Sequence, residues 1–481
     1  MKKRFTFLLL LAIYSTSFSQ VYIPKTSSEK TTDKGNSYTL KYAGSDYFRK
    51  SPYVLYPGKN DEMLILWQLN TTATCEVKYG TDTSYSSGTQ TTTEYGNDHQ
   101  HKVNLTGLTP GQKYYYQITA GNQNTKNGSF QAGAPDNDSQ LTFFAYGDTR
   151  SYPSHHDVVA TAILNDINNN NLKQTFIINS GDLVNDGDDE DSWQNEFFNS
   201  SFTHIIEMLA NLPYLTAMGN HEGQGVLFKK YFPYPMYENN SFYYSFDYGP
   251  LHVCVVDQEI DYSQGSTQYN WIVNDLSSSG KLWKIAVFHK PGWSAGGHSN
   301  SSDVQNNLQG LFENYGVSLV ITGHNHYYAR AVVNNVHHIT TGGGGAPLYT
   351  PNASYPNIVK VEKSNHYCKI EIDGNKLQFS AIRDNGSQIE VFDLEKTASS
   401  IEENSLNSKW FAYNNEEGML VIKTKGVHGK IEIYDNLGRK IYKNKINDRL
   451  IYMPKKHGIY YVRFIDGQNF SVKKIISGRY N

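Results

Sequence analysis

Apolar runs that stop abruptly on a polar residue mark the middle of this chain. Leu141-Thr-Phe-Phe-Ala-Tyr146 stops at Gly147-Asp148, Thr175-Phe-Ile-Ile-Asn-Ser180 at Gly181-Asp182, and Tyr214-Leu-Thr-Ala217 leads to Gly219-Asn220-His221-Glu222. Further on, Trp283-Lys-Ile-Ala-Val-Phe288 stops at His289, and Val317-Ser-Leu-Val-Ile-Thr322 at Gly323-His324-Asn325-His326. Short continuous apolar runs of this kind predict buried strands. Between the first three, Val158, Val159, Ala162, Ile163 and Ile167 recur at helical spacing over about 156 to 168, and a second helix is predicted over about 191 to 210. Strand, helix, strand, helix, strand joined by right-handed crossovers gives parallel strands, so Asp148, Asp182 and Asn220 leave one edge of one sheet. That edge is where α/β proteins keep their ligand sites.

The flanks have a different rhythm. From Ser51 to about Pro135, period-two segments such as Met63-Leu-Ile-Leu-Trp67, Cys75-Glu-Val-Lys-Tyr79 and Tyr114-Tyr-Tyr-Gln-Ile118, separated by Gly, Pro and Asn, predict a β-sandwich cored by Trp67. No cluster of ligand-like residues stands out there, so the sandwich reads as a packing domain beside the catalytic unit rather than a carbohydrate-binding module. After about residue 398 a linker leads to short strands around 419–422, 430–434 and 458–464 with the turn Asp435-Asn-Leu-Gly438, which predict a small all-β domain.

The N-terminus sets the compartment. Lys2-Lys3-Arg4, an apolar run from Phe5 to about Tyr14 and small residues at 15–19 have the order of a secretory signal peptide cut near residues 19–20. No later stretch reaches the ~18 to 20 apolar residues of a membrane-spanning helix. With 43 Lys and Arg against 46 Asp and Glu, a net charge of -3 gives no reason to expect nucleic acid or an anionic membrane as the main partner. Three widely spaced cysteines argue against both a disulfide framework and a thiolate zinc site.

Six side chains are thus predicted to converge at strand ends: Asp148, Asp182, Asn220, His289, His324 and His326. Oxygen and imidazole donors without thiolate suit zinc, manganese or iron, and the supply fits two ions sharing a carboxylate better than one. Such a pair can clamp phosphoryl oxygens while holding a hydroxide for in-line attack. Lowering a water pKa from ~15.7 to ~7 corresponds to about 12 kcal/mol of ionisation free energy, so no side-chain base has to do that work. Arg150, two residues after Asp148, can hold a phosphate oxygen bidentately, although an arginine at a helix start is as often a surface residue. The run of four glycines at 342–345 lacks the Lys-Ser/Thr of a P-loop and reads as a tight turn near the site. Acidic residues between 186 and 191 lack calcium-loop spacing, and His155, His156, His337 and His338 read as structural.

Gly-Asp148, Gly-Asp182, Gly-Asn220-His221-Glu222, His289 and Gly-His324-Asn-His326, in that order, resemble the five blocks of the calcineurin-like metallophosphoesterases. The sandwich in front, the phrase Tyr244-Ser-Phe-Asp-Tyr-Gly249 and the stretch Gly323-His-Asn-His-Tyr-Tyr-Ala-Arg330 resemble the purple acid phosphatases more closely. The resemblance implies that Asp182 bridges two ions (Fe, Zn or Mn), one also held by Asp148 and His326, the other by Asn220, His289 and His324. It implies a leaving-group or transition-state role for His221 and a second substrate-facing histidine in His298. It departs at Asn185, where a purple acid phosphatase carries the tyrosine whose phenolate binds ferric iron. Asn185 offers at most a weak carbonyl oxygen to the Asp148 ion, which implies a colourless enzyme with less preference for Fe(III).

The tail beyond residue 404 holds about fifteen Lys and Arg against about six Asp and Glu. Its Gly458-Ile-Tyr-Tyr-Val-Arg-Phe464 and Lys473-Lys474 resemble the C-terminal sorting domain of the type IX secretion system of Bacteroidetes, which implies that machinery as a partner; the basic balance alone also allows a polyanion-binding module. The expected architecture is multidomain: a signal peptide over 1–19, an arm over 20–50, an all-β fibronectin III-like sandwich over 51–135, an α/β metallophosphoesterase domain over 139–397 with a β-sandwich core flanked by helices, and a sorting domain over 404–481. The expected function is a secreted or cell-surface phosphatase, exported through the periplasm, that hydrolyses phosphomonoesters with a hydroxide held on two metals. A phosphodiesterase or nucleotide hydrolase on the same site, or a catalytically silent surface binding protein, are the alternatives.

Overall fold

The computed structural model describes residues 31–33, 36–38, 47–121, 124–168 and 174–396, and in the C-terminal region 410–414, 419–424, 426–435, 438–452, 458–467 and 469–477. The expected signal peptide and most of both linkers lie outside the described residues.

The N-terminal sandwich starts three residues earlier than its sequence pattern suggested. One sheet pairs Phe48–Leu55, Glu62–Leu69 and Gln100–Thr106; the other orders Gly88–Thr92, Cys75–Gly80, Lys113–Ala120 and Asn124–Gln131. Alternation puts Tyr114, Tyr116, Ile118 and Ala120 inside, and Trp67 is fully buried, its ring stacked on His101 at 5.3 Å. The Tyr114 hydroxyl accepts the Thr109 N–H at 3.0 Å, closing the corner before its strand.

Two sheets face each other in the central domain. The first orders Tyr214–Thr216, Ile177–Asn179, Gln140–Tyr146, His366–Asp373, Lys376–Arg383 and Gln388–Glu395, its first three strands parallel as expected. The second orders Tyr244–Tyr248, Leu251–Val255, Trp283–Val287, Leu319–Thr322, Val336–Thr341, Tyr328–Val333 and Ile358–Glu362. Phe144, Ile178 and Leu215 of one sheet share a single core with Val253, Ile285 and Ile321 of the other. Cys254, Ala286 and Val320 point the opposite way, onto Ile272 and Leu276 of the helix Thr267–Ser278. Strands buried on both faces explain why these runs are continuous rather than alternating.

One sequence expectation is corrected. The single helix over about 191 to 210 is broken into a short turn Glu190–Ser192, a wide turn Trp193–Phe197 and the helix Thr203–Asn211. Trp193 and Phe197 are fully buried and the Trp193 indole N–H binds the Gly187 carbonyl at 2.9 Å, so tertiary packing overrides helix continuation. The glycines at 342–345 lead into a bend beside the site, against the first candidate loop, with the Gly344 N–H on the Gly147 carbonyl and the Ala346 N–H on the Asp148 carbonyl, both at 2.9 Å.

The sandwich docks on the central domain through the helix Thr203–Asn211. Tyr116 donates to the Ala210 carbonyl at 2.9 Å, and Ser129 to Asn211. Lys50, fully buried, donates to Glu190 and Gln68 at 2.6 Å each, and its burial pulls its pKa down to about 7. Glu190 also accepts from Tyr231 and Arg49, so the segment that follows Asp182 is tied across the domain boundary. In the tail, strands 410–414, 420–424 and 449–452 face a four-stranded sheet around the core of Trp410, Ile422, Ile433 and Phe464.

A second charge cluster lies away from the strand ends. His252, 6% exposed, is held between Asp247 at 2.7 Å and Asp275 at 2.9 Å. Burial opposes its charge, yet the two carboxylates raise its pKa to about 9, with Lys284, Ser245 and Cys254 the other groups facing this pair. A folded pKa above the ordinary ~6.5 gives stability that is complete below pH ~6.5 and is lost as pH rises through about 9. His252→Gln is expected to lower unfolding free energy by about 2 kcal/mol at pH 6, and by much less at pH 10, in denaturant melts at the two pH values.

Candidate metal centre

The candidate residues emerge where strands of both sheets end. Asp148, Asp182 and His324 adopt left-handed backbone angles, with φ of 56°, 57° and 67°. For residues with a Cβ this is uncommon and costs of order 1 kcal/mol or more each, so the surroundings have to impose it. Hydrogen bonds do so: Asp148 N–H to the Gly181 carbonyl, His324 N–H to both Asp148 carboxylate oxygens at 3.0 Å, and His221 N–H to Asp182 Oδ1 at 3.0 Å. The preceding glycines serve space as well as rotation. A Cβ on Gly323 would overlap Asp148 Oδ2, and one on Gly181, itself at φ 102°, would sit 2.7 Å from the Gly219 nitrogen.

Asp182, His289 and His324 bring donor atoms within 4.8 Å of one another. Asp182 Oδ1 lies 3.2 Å from His289 Nε2, which lies 3.2 Å from His324 Nδ1. An ion with bonds of about 2.0 to 2.2 Å spans donors up to ~4.4 Å apart, so a few tenths of an ångström of closure would let these three hold one. Beside them, Asp148 Oδ1 and His326 Nε2 stand 3.4 Å apart. His289 directs its Nδ1 at the Ser180 carbonyl (3.0 Å) and His326 its Nδ1 at the Pro347 carbonyl (2.8 Å). Those carbonyls fix each ring with Nδ1 as donor and leave Nε2 free to ligate. Burial pushes the Asp182 carboxyl up, but the charges and hydrogen bonds of His289 and His221 outweigh it and hold the group well below the ordinary range. Burial and neighbouring His289 push His324 down to about 3. Burial pushes His289 down, but the charge and hydrogen bond of Asp182 outweigh it and raise it to about 9, so a cation bound here would take the place of the His289 Nε2 proton beside the ionised carboxylate.

The remaining candidates differ in placement. Asn220 opens the one-turn helix Asn220–Glu222 and is exposed. His221 holds its Nδ1 2.6 Å from the Asn185 carbonyl and turns Nε2 toward Asp182 Oδ2, 3.8 Å away. Arg150, 13% exposed at its side chain, is no surface residue: its Nε lies 3.5 Å from Asp182 Oδ2 and its Nη2 3.5 Å from His326 Nε2. Asn185 turns its side-chain oxygen to Arg150 Nη1 at 3.1 Å. His298 lies exposed at the mouth with its ring stacked on His324 at 4.2 Å.

Four residues of the site went unrecognised in the sequence. Glu222, fully buried, accepts from Asp182 N (3.0 Å), Leu183 N (2.7 Å) and Gly219 N (2.6 Å), and burial together with the Asp182 charge pushes it up to about 7. Glu196 Oε2 ties Ser151 N to Asn185 N at 2.7 and 2.9 Å. Asn325, buried between the two histidines, accepts the His298 N–H at 2.7 Å and donates to Ser294 at 3.0 Å, so the closing motif also anchors the His298 loop. Tyr349 stacks on His326 at 4.2 Å and points its hydroxyl to His298, 3.4 Å away. Glu222 and Asn325 were visible as members of the quoted motifs; nothing local marks Glu196 or Tyr349.

Two stretches of the chain match known families. Residues 141–328 match the family profile of calcineurin-like phosphoesterases, and residues 50–132 that of the purple acid phosphatase N-terminal domain. Purple acid phosphatase 23 of Arabidopsis thaliana is 30% identical over 170 residues, covering 32% of this chain and 36% of the relative. Probable inactive purple acid phosphatase 27 of the same plant is 28% identical over 271 residues, covering 48% and 43%. The aligned part therefore spans less than half of either curated relative. The purple acid phosphatase PPD1 from yellow lupin (Lupinus luteus) seeds superposes with a TM-score of 0.61 at 21% identity, over 72% of this chain and 74% of that one, a likeness of fold. The chain carries a calcineurin-like phosphoesterase domain preceded by a purple acid phosphatase N-terminal domain.

Proposed function

We propose that this chain is an exported, metal-dependent phosphatase that hydrolyses phosphomonoesters with two ions at the strand-end site. The observation that supports this most is the buried Asp182, His289 and His324 donor set within 4.8 Å, with Asp148 and His326 paired beside it at 3.4 Å. Bound ions would supply Lewis acidity toward phosphoryl oxygen and lower the pKa of water toward neutrality.

The chain's own groups do the rest in this reading. Asp182 presents one carboxylate oxygen to each side of the site, Oδ1 toward His289 and Oδ2 toward Arg150. Arg150 offers a guanidinium edge to a phosphoryl oxygen, a charge-assisted bond stronger than a neutral one. His221, with Nδ1 engaged by the Asn185 carbonyl, can hold a proton on Nε2 and pass it to the departing ester oxygen. His298, braced by Asn325 and Tyr349 at the mouth, meets the substrate as it enters.

A diesterase reading of the same site and a silent binding protein are the competitors, the latter because three of the relatives from Arabidopsis thaliana are named probable inactive purple acid phosphatases. Purified protein, chelated and then resupplied with Mn, Zn or Fe, is expected to cleave p-nitrophenyl phosphate at least tenfold faster than its bis ester. The reverse preference would establish the diesterase, and no turnover of either with metal bound would establish the binding protein. The basic tail, read as a type IX sorting domain, supports export across the outer membrane. Removing residues 404–481 is expected to leave active enzyme in the periplasm of the native host; unchanged export would remove the sorting role.

A further inference from the structure

Arg150 reaches into the part of the site beside Asp182 and His326, and Asn185 meets it there. An ion beside Asp148 would draw on Asp148, Asp182 Oδ2 and His326 Nε2. The Arg150 guanidinium stands 3.5 Å from the second of these and 3.5 Å from the third. Asn185, named from the sequence as a weak ligand to this set, gives its oxygen to Arg150 Nη1 at 3.1 Å instead, while Ser151 Oγ accepts from the same nitrogen at 3.2 Å. This arrangement is held rather than incidental. Glu196 pins the backbone on both sides by accepting from Ser151 N and Asn185 N, and its carboxyl lies close enough to Arg150 to feel its charge. Arg150 Nε is buried without a hydrogen-bond partner, so one guanidinium donor still faces the site.

The other position has a different character. Asp182 Oδ1, His289 Nε2 and His324 Nδ1 are spaced at 3.2 Å steps. Two cations a few ångströms apart in a site shielded from water repel strongly, so a fixed guanidinium lowers the affinity of a neighbouring ion site by roughly tenfold or more. Arginine stays charged throughout the accessible pH range, so the penalty cannot be relieved by loss of a proton.

We propose that the two cation positions are unequal by construction: Asp182, His289 and His324 hold one ion tightly, while Arg150, oriented by Asn185, keeps the position beside Asp148 and His326 weak. Asn185 is then a positioning residue for Arg150 and not a ligand. This inference rests on the metal reading of the proposed function and refines it.

The test is calorimetric titration of the chelated full-length protein with Mn²⁺ and with Zn²⁺, with metal content measured after dialysis. Two binding steps separated by at least tenfold are expected for the native chain. Arg150→Met is expected to tighten the second step by roughly tenfold or more, while Arg150→Lys, which keeps a charge, stays closer to native. Asn185→Ala is expected not to weaken the second step. Two equal steps in the native chain, no tightening in Arg150→Met with native circular dichroism, or a weakened second step in Asn185→Ala would each overturn the proposal. Failure of the native chain to bind any ion would overturn the metal reading itself, a distinct result.

Discussion

A buried carboxylate with no direct way to water is the constraint around which this domain is arranged. Asp182 is about 1% exposed; its Oδ1 faces the His289 ring and the His221 N–H, and its Oδ2 faces Arg150 and the His221 ring. Keeping such a group ionised requires positive charge and hydrogen bonds fixed in place before any ligand arrives. The structure meets that need from several chain segments at once: the His221 N–H, the His289 ring held on Ser180, and a guanidinium held by Asn185. Glu222 completes the frame by gathering the amides of Asp182, Leu183 and Gly219, so the two loops cannot move apart independently.

The left-handed backbone at Asp148, Asp182 and His324 is the cost of bringing strand ends from two sheets so close. Asp and His tolerate it better than most residues with a Cβ, and the hydrogen bond from His324 N–H to the Asp148 carboxylate is one restraint that holds it here. The docking of the sandwich extends the same rigidity outward, because Glu190, bound to buried Lys50 and to Tyr231, begins the turn that follows the Asn185 loop.

Much of this was legible in the residues. Apolar runs ending in Gly-Asp or Gly-His located the strands, their parallel order and the meeting of Asp148, Asp182, His289, His324 and His326, because burial on both faces writes itself as continuous hydrophobicity. The broken helix after Glu190 was not, because helical periodicity cannot report that Trp193 seeks the Gly187 carbonyl. The roles of Glu196 and Tyr349 were hidden for a similar reason: Glu196 acts on Ser151 and Asn185, 45 and 11 positions away, and Tyr349 reaches His298 51 positions away. Asn185 was recognised as a departure, but only the structure shows what it engages, namely the neighbouring Arg150 and not open space.

If Asp182 is the shared anchor of a working metal site, its charge and not its volume should matter. Metal content and phosphomonoester turnover of Asp182→Asn, chelated and resupplied with ions in parallel with the native protein, test this most directly. The account predicts a folded variant that retains less metal and turns over substrate roughly a hundredfold more slowly or worse. Native metal content together with native turnover would contradict it.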